Sequence, residues 1–108
     1  LIRSAFKSWI LTLSPSPYVI REAAILFESG SDVGCSQVIT VSAPSALRIE
    51  RAMQRSGWTQ EKAVQRMQHQ WSDTQREERA QHRIDNGLDD LLIPQVMAIH
   101  AKLMKWFQ

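Results

Sequence analysis

The run Gln37–Ser42, with Val38, Ile39, Thr40 and Val41 at its centre, constrains this chain more than any other stretch. It is nearly continuous, apolar and β-branched, which predicts a strand buried on both faces, as in a parallel sheet. Pro44 follows closely, where a missing N–H suits the first turn of a helix. Leu47, Ile49, Ala52 and Met53 give that helix an apolar side, and Gly57 suits its C-terminal cap. Thr59 is placed to cap a further helix, with Glu61 favourable in its first turn. Ala63, Val64, Met67 and Trp71 mark the buried face of that second helix. Parallel strands need crossover connections, so a strand running straight into helices asks for a second strand beside it.

The flanking segments extend the pattern. Leu1 to Leu13 reads as an amphipathic helix with Ile2, Phe6, Trp9, Ile10 and Leu13 on one side. The Ser-Pro-Ser-Pro run at Ser14 to Pro17 ends it. Tyr18 to Ala23 is expected to be a strand, passing through Ala23 to Phe27 into a short helical or loop segment closed by Gly30. Ser72 to Arg83 loses the apolar stripe and is expected to be exposed and mobile. Ile84 to Gly87 predicts a short strand and turn. Asp89 and Asp90 precede a final helix striped by Leu92, Val96, Ile99, Leu103 and Trp106. The alternating order makes the fold class α/β, a parallel sheet with crossover helices in one domain over 1–108. Its expected parts are 1–36, 37–71, 72–83 and 84–108.

Composition excludes several classes. With 44% hydrophobic and 22% charged residues the chain is neither disordered nor membrane-embedded. Its longest apolar runs fall far short of the roughly 20 residues that span a bilayer. A net charge of +2 is too balanced for general nucleic-acid binding. The basic residues are local instead: Arg48, Arg51, Arg55, Lys62, Arg66, Arg76, Arg79 and Arg83 share one stretch, which points to an anionic ligand such as a phosphate. The single cysteine, Cys35, allows no internal disulfide and agrees with a reducing, cytoplasmic setting. Cys35 reads as a small half-buried residue rather than a nucleophile. His69, His82 and His100 lack metal-ligand spacing. The tryptophans at 9, 58, 71 and 106 read as core or near-core.

The order of motifs is itself informative. AAILFESG at 23–30, VITVSAP at 38–44, RIERAMQRSG at 48–57, MQHQ at 67–70 and RIDNG at 83–87 together resemble the dephospho-CoA kinases. These are P-loop kinases that phosphorylate the 3′-hydroxyl of dephospho-CoA from ATP. The resemblance runs from about Pro17 onward and implies a partial P-loop kinase fold with a helical arginine lid and a C-terminal helix. It implies Arg51, Arg55, Arg76 and Asn86 as ATP-binding residues, with Arg76 closing over the phosphates and Asn86 framing the adenine. It implies Leu26, Phe27 and Glu28 as the lining of the dephospho-CoA site, and Mg²⁺ accompanying ATP. Two departures put individual contacts in question: Ala24 stands where the family usually has proline, and Gln81 follows Ala80 where the family tends to have aspartate.

No G-x-x-x-x-G-K-[ST] occurs anywhere, and no acidic residue stands in a recognisable position for a catalytic base. We therefore read the chain as a catalytically inactive fragment, with no catalytic residue of its own. Each assignment has a plainer counterpart. Arg51 and Arg55 lie four apart on one helical face, yet could be a solvated face pairing with Glu50 or Glu61. Glu77 and Glu78 could neutralise Arg76 and Arg79. Asn86 could simply form a turn before Gly87. Leu26 and Phe27 could belong to the core, with Glu28 at a helix end. Alternatives for the whole chain are another small-molecule P-loop kinase, such as a nucleoside monophosphate kinase, and a non-catalytic helical interaction module. The strands at Tyr18–Ala23 and Gln37–Ser42 would flank an absent central strand. Their unpaired edges predict either direct pairing of the two or self-association.

Overall fold

The computed structural model describes residues 2–12 and 16–107. Helix α1 (Ile2–Leu11) opens the chain and strand β1 (Ile39–Ser42) follows a short 3₁₀ turn at Ser31–Gly34. Then come α2 (Ser45–Ser56), α3 (Gln60–Gln68), α4 (Asp73–Arg79), strand β2 (His82–Asp85) and α5 (Leu92–Trp106). The two strands pair in parallel, Ile39 opposite His82 and Ser42 opposite Asp85. The expected α/β class and parallel pairing are therefore present, with α2, α3 and α4 forming the crossover.

Local chemistry explains the helix boundaries. Gly57 ends α2 at φ 66°, a left-handed conformation that glycine adopts without a Cβ penalty. Thr59 accepts the Lys62 N–H at 3.2 Å and starts α3. Ser72 and Gln75 bond each other's backbone N–H groups in a capping box, so a polar segment with no apolar stripe still forms α4. The segment expected to be exposed and mobile thus holds a capped helix whose Arg76 and Glu77 are half-buried.

Strand β1 departs from expectation in an instructive way. Its polar residues, Thr40 and Ser42, are buried at 5% and 4% exposure, while Val41 is 53% exposed. The strand is covered on one face only. Ser42 is tolerated inside because its hydroxyl donates to Glu77 Oε1 of α4 at 2.9 Å. Ladder geometry sets the edges as well. His82 N–H reaches the Val38 carbonyl and Asn86 N–H reaches the Ser42 carbonyl, so the Ile39 and Val41 backbone groups point away from β2. No partner for them exists among the described residues.

Other expectations are corrected. Tyr18–Ala23 is not a strand. No described strand offers it a ladder, and Tyr18 instead packs on α5, its hydroxyl 2.5 Å from His100 Nδ1 and its ring stacked 6.1 Å from Phe107. The gap between two apolar strands accordingly does not arise, although the open edge of β1 remains. The last strand is His82–Asp85, two residues earlier than Ile84–Gly87. Leu13, the end of the predicted first helix, and Ser14 and Pro15 of the Ser-Pro run lie outside the described residues. Trp9 and Trp106 are exposed rather than near-core. Trp106 ends α5 beyond its buried Ile99 and Leu103, and meets Phe107 edge-on at 4.6 Å.

Among the described residues the buried apolar set is Phe27, Val38, Ala63, Ile99 and Leu103, a thin core. Individual hydrogen bonds then weigh heavily in stability. The outer edge of β2 is held by one side chain. Gln95 of α5 accepts the Asp85 N–H at 2.8 Å and donates to the Asp85 carbonyl at 3.0 Å, taking the place of a neighbouring strand. We expect Gln95→Leu to lower stability by about 1–3 kcal/mol, the cost of stranding those two backbone groups. Urea denaturation of the two proteins measures it, and an unchanged midpoint would show that water replaces the amide without loss.

Candidate functional site

In open parallel sheets, ligands bind beyond the carboxyl ends of the strands. Here those ends are Ser42-Ala43-Pro44 after β1 and Asn86-Gly87 after β2. A cavity of about 370 Å³ opens there, lined by Ser42, Ala43, Pro44, Asp73, Arg83, Asp85 and Asp90. Three carboxylates against one guanidinium make the cavity itself acidic. Arg83 is engaged by Asp85 at 2.7 Å and Glu77 at 3.1 Å. The hydrogen bond to Asp85 holds its guanidinium above the ordinary arginine value.

Arginines of α2 and α4 bond residues in or next to this lining. Arg51, on α2, donates from Nη1 to the Asn86 carbonyl at 2.7 Å. Asn86 N–H is meanwhile bound by Ser42 O at 2.7 Å, so its backbone is held on both sides. Two residues singled out separately in the sequence are thus in direct contact. Arg51 pairs with neither Glu50 nor Glu61, the partners that a plain solvated face would supply. Arg55, one turn further along α2, is exposed and has no hydrogen-bond or ion-pair partner among the described residues.

Arg76 is 14% exposed and forms an ion pair with Asp73, one turn earlier in α4. The same Asp73 oxygen takes Arg48 Nη1 at 2.9 Å. Two cations share one carboxylate, leaving the group with a surplus positive charge. Arg76 Nε is buried and without a partner. Such a group can receive an anion without first breaking its own support. Of the two carboxylates that could have neutralised Arg76, Glu77 serves Ser42 and Arg83 instead. Sequence reasoning counted Arg48 among the basic residues without giving it a role, and missed Asp73. The only signal for Asp73 is its place after the capping Ser72.

Leu26, Phe27 and Glu28 lie apart from the cavity lining. Residues 24–30 form turns, closed by Gly30 at φ 73°. Phe27 is buried and stacks on Trp71, which is the plainer of its two readings. Leu26 is half-buried, with its carbonyl bound by Ser31 N–H at 3.0 Å. Glu28 is half-buried and its Oε2 atom has no partner. Gln81, the departure after Ala80, has a structural role of its own. Its side-chain oxygen accepts the Val38 N–H at 2.7 Å and steadies the chain as it enters β1.

Comparison with known proteins joins these features. The family model for dephospho-CoA kinase matches residues 1–90. The chain belongs to the dephospho-CoA kinase family. It is 36% identical over 94 residues to the dephospho-CoA kinase of Parasynechococcus marenigrum, covering 85% of this chain and 48% of that one. It is 36% identical over 104 residues to that of Bacteroides fragilis (94% and 50%) and 42% identical over 85 residues to that of Chlorobaculum tepidum (78% and 40%). The chain spans about half the length of the curated relatives it matches. Among the described residues no helix is long and apolar enough to cross a membrane, and no three His, Cys, Asp or Glu side chains converge as a metal site.

The shared carboxylate generates a prediction. Asp73→Asn keeps the shape of the side chain but leaves Arg48 and Arg76 facing each other uncompensated. Because all three groups are part-exposed, the expected loss is modest, about 1 kcal/mol, and smaller at high salt. Denaturation at low and high salt checks it, and a salt-independent loss would point to packing rather than charge.

Proposed function

We propose that this chain supplies the nucleotide-facing arginines and acceptor-side segment of an ATP-dependent dephospho-CoA kinase. The enzyme transfers the γ-phosphoryl of ATP, with Mg²⁺, to the 3′-hydroxyl of dephospho-CoA, the last step of coenzyme A synthesis, in the cytoplasm. The observation that carries the reading is the contact between Arg51 and Asn86 at the carboxyl ends of two parallel strands, in a chain of this family.

The roles follow from charge and position. Phosphoryl transfer depends on holding the reactants and on neutralising charge on the transferring group. Arg51 braces the Asn86 backbone where the adenine would sit. Arg55 projects from the same face with its charge free for phosphate. Arg76 brings a fixed cation whose support by Asp73 is shared with Arg48. Leu26, Phe27 and Glu28 shape the acceptor side, Phe27 from within the core. The described carboxylates do not converge as a site for Mg²⁺.

Two outcomes test the reading. The 108-residue chain should show no transfer from ATP to dephospho-CoA, because its sequence has no P-loop; turnover above background would overturn that reading of its residues. In a kinase that combines this sequence with a P-loop, Arg76→Ala should lower kcat by roughly 10²- to 10³-fold, because a phosphate-contacting arginine acts on charge developing in transfer. The Kd for dephospho-CoA should change little. Wild-type turnover in that variant would leave Arg76 as a structural partner of Asp73 alone.

A further inference from the structure

Four side chains outside the cavity form a continuous cluster between the acceptor-side segment and α4. The Phe27 and Trp71 rings lie 5.2 Å apart and within 8° of parallel. The Arg79 guanidinium sits 5.9 Å from the Phe27 centroid and 5.7 Å from that of Trp71. It also lies 3.5 Å from Asp32 Oδ2 in the 3₁₀ turn. Trp71 immediately precedes the Ser72 cap, and Arg79 is the last residue of α4. Both ends of this short helix are therefore fastened to the same segment, residues 27–32. Arg76 lies between the two fastenings.

We propose that Trp71 and Arg79 are positioning residues that latch the acceptor-side segment to α4, so that a ligand moving the segment also moves Arg76. The proposal rests on the reading of Arg76 and residues 26–28 given above. Stacked rings and packed side chains transmit displacement because they do not deform continuously. The observed arrangement also leaves something to gain by moving. Glu28 Oε2, beside Phe27, is a buried acceptor without a partner, and Arg76 Nε is a buried donor without one. Natural proteins rarely leave such atoms unpaired, and one on each side of the latch marks a state that a shift or a bound ligand relieves. Arg79 thus acts without any contact with ATP.

The test uses the complete kinase containing this sequence, with dephospho-CoA and a non-hydrolysable ATP analogue as probes. In the wild type, saturating dephospho-CoA should tighten analogue binding by about fivefold or more. Arg79→Gln and Trp71→Leu should bring that factor close to one and lower kcat by about tenfold, while the affinity for each ligand alone stays within about twofold. Arg79→Lys and Trp71→Phe should restore most of both. Arg79 is 59% exposed, so Arg79→Gln keeps the test open even where Trp71→Leu fails to fold. A folded Arg79→Gln enzyme with wild-type coupling and kcat overturns the latch. A wild-type enzyme that does not phosphorylate dephospho-CoA sinks the functional reading instead. In that event amide hydrogen exchange without ligand still decides the latch. Residues 26–34 and 73–79 should open together in the wild type and separately in Arg79→Gln, and identical exchange in both proteins overturns it.

Discussion

The parallel pairing of Ile39–Ser42 with His82–Asp85 is the interaction on which the rest of the structure depends. It is short, and each strand has only one neighbour among the described residues. Its register nevertheless sets which groups meet at the carboxyl ends of the strands. Because Ser42 lies opposite Asp85, the next ladder bond falls on Asn86, and the Arg51 guanidinium meets the carbonyl of that same residue. A one-residue slip would turn each strand's side chains to the opposite face and part these groups. The two outer edges are treated differently. Gln95 covers that of β2, whereas that of β1 stays open beside exposed Ile39 and Val41.

Electrostatics around this ladder follow from sharing rather than from excess charge. Asp73 holds Arg48 and Arg76 together, while Glu77 is occupied by Ser42 and Arg83. The acidic cavity and the surplus cation beside it meet at Asp73, which lines the one and holds both arginines of the other. Ion pairs thereby hold the cavity wall in place. The same sharing explains why net charge said little: a chain at +2 can still concentrate positive charge in one place.

Much of the fold was legible because local rules agreed with it. Gly57 and Thr59 each mark a helix boundary through a cap read from the residues themselves. Val38 to Val41 announced a strand through β-branching. Tyr18–Ala23 misled for the complementary reason. Its residues favour extended backbone, but a strand exists only where another backbone completes its hydrogen bonds, and Tyr18 finds α5 instead. Thr40 and Ser42 inside, with Val41 outside, likewise reflect which face α4 covers. Of the candidate site, Arg51, Arg55 and Arg76 were singled out through the resemblance of their motifs to the family. Asp73 and Arg48 were not, since nothing local records that two distant helices meet at one carboxylate.

What the sequence by itself determined is family membership, the parallel α/β class and the caps at Gly57 and Thr59. These depend on contacts within a few residues or on motif order. Only the tertiary structure decided which face of β1 is buried, that Phe27 belongs to the core, that Arg79 turns to Asp32 and two aromatic rings, and that Asn86 is held by Arg51. Each of these depends on groups tens of residues apart being brought within hydrogen-bond or van der Waals range, and that is decided by how the whole chain packs.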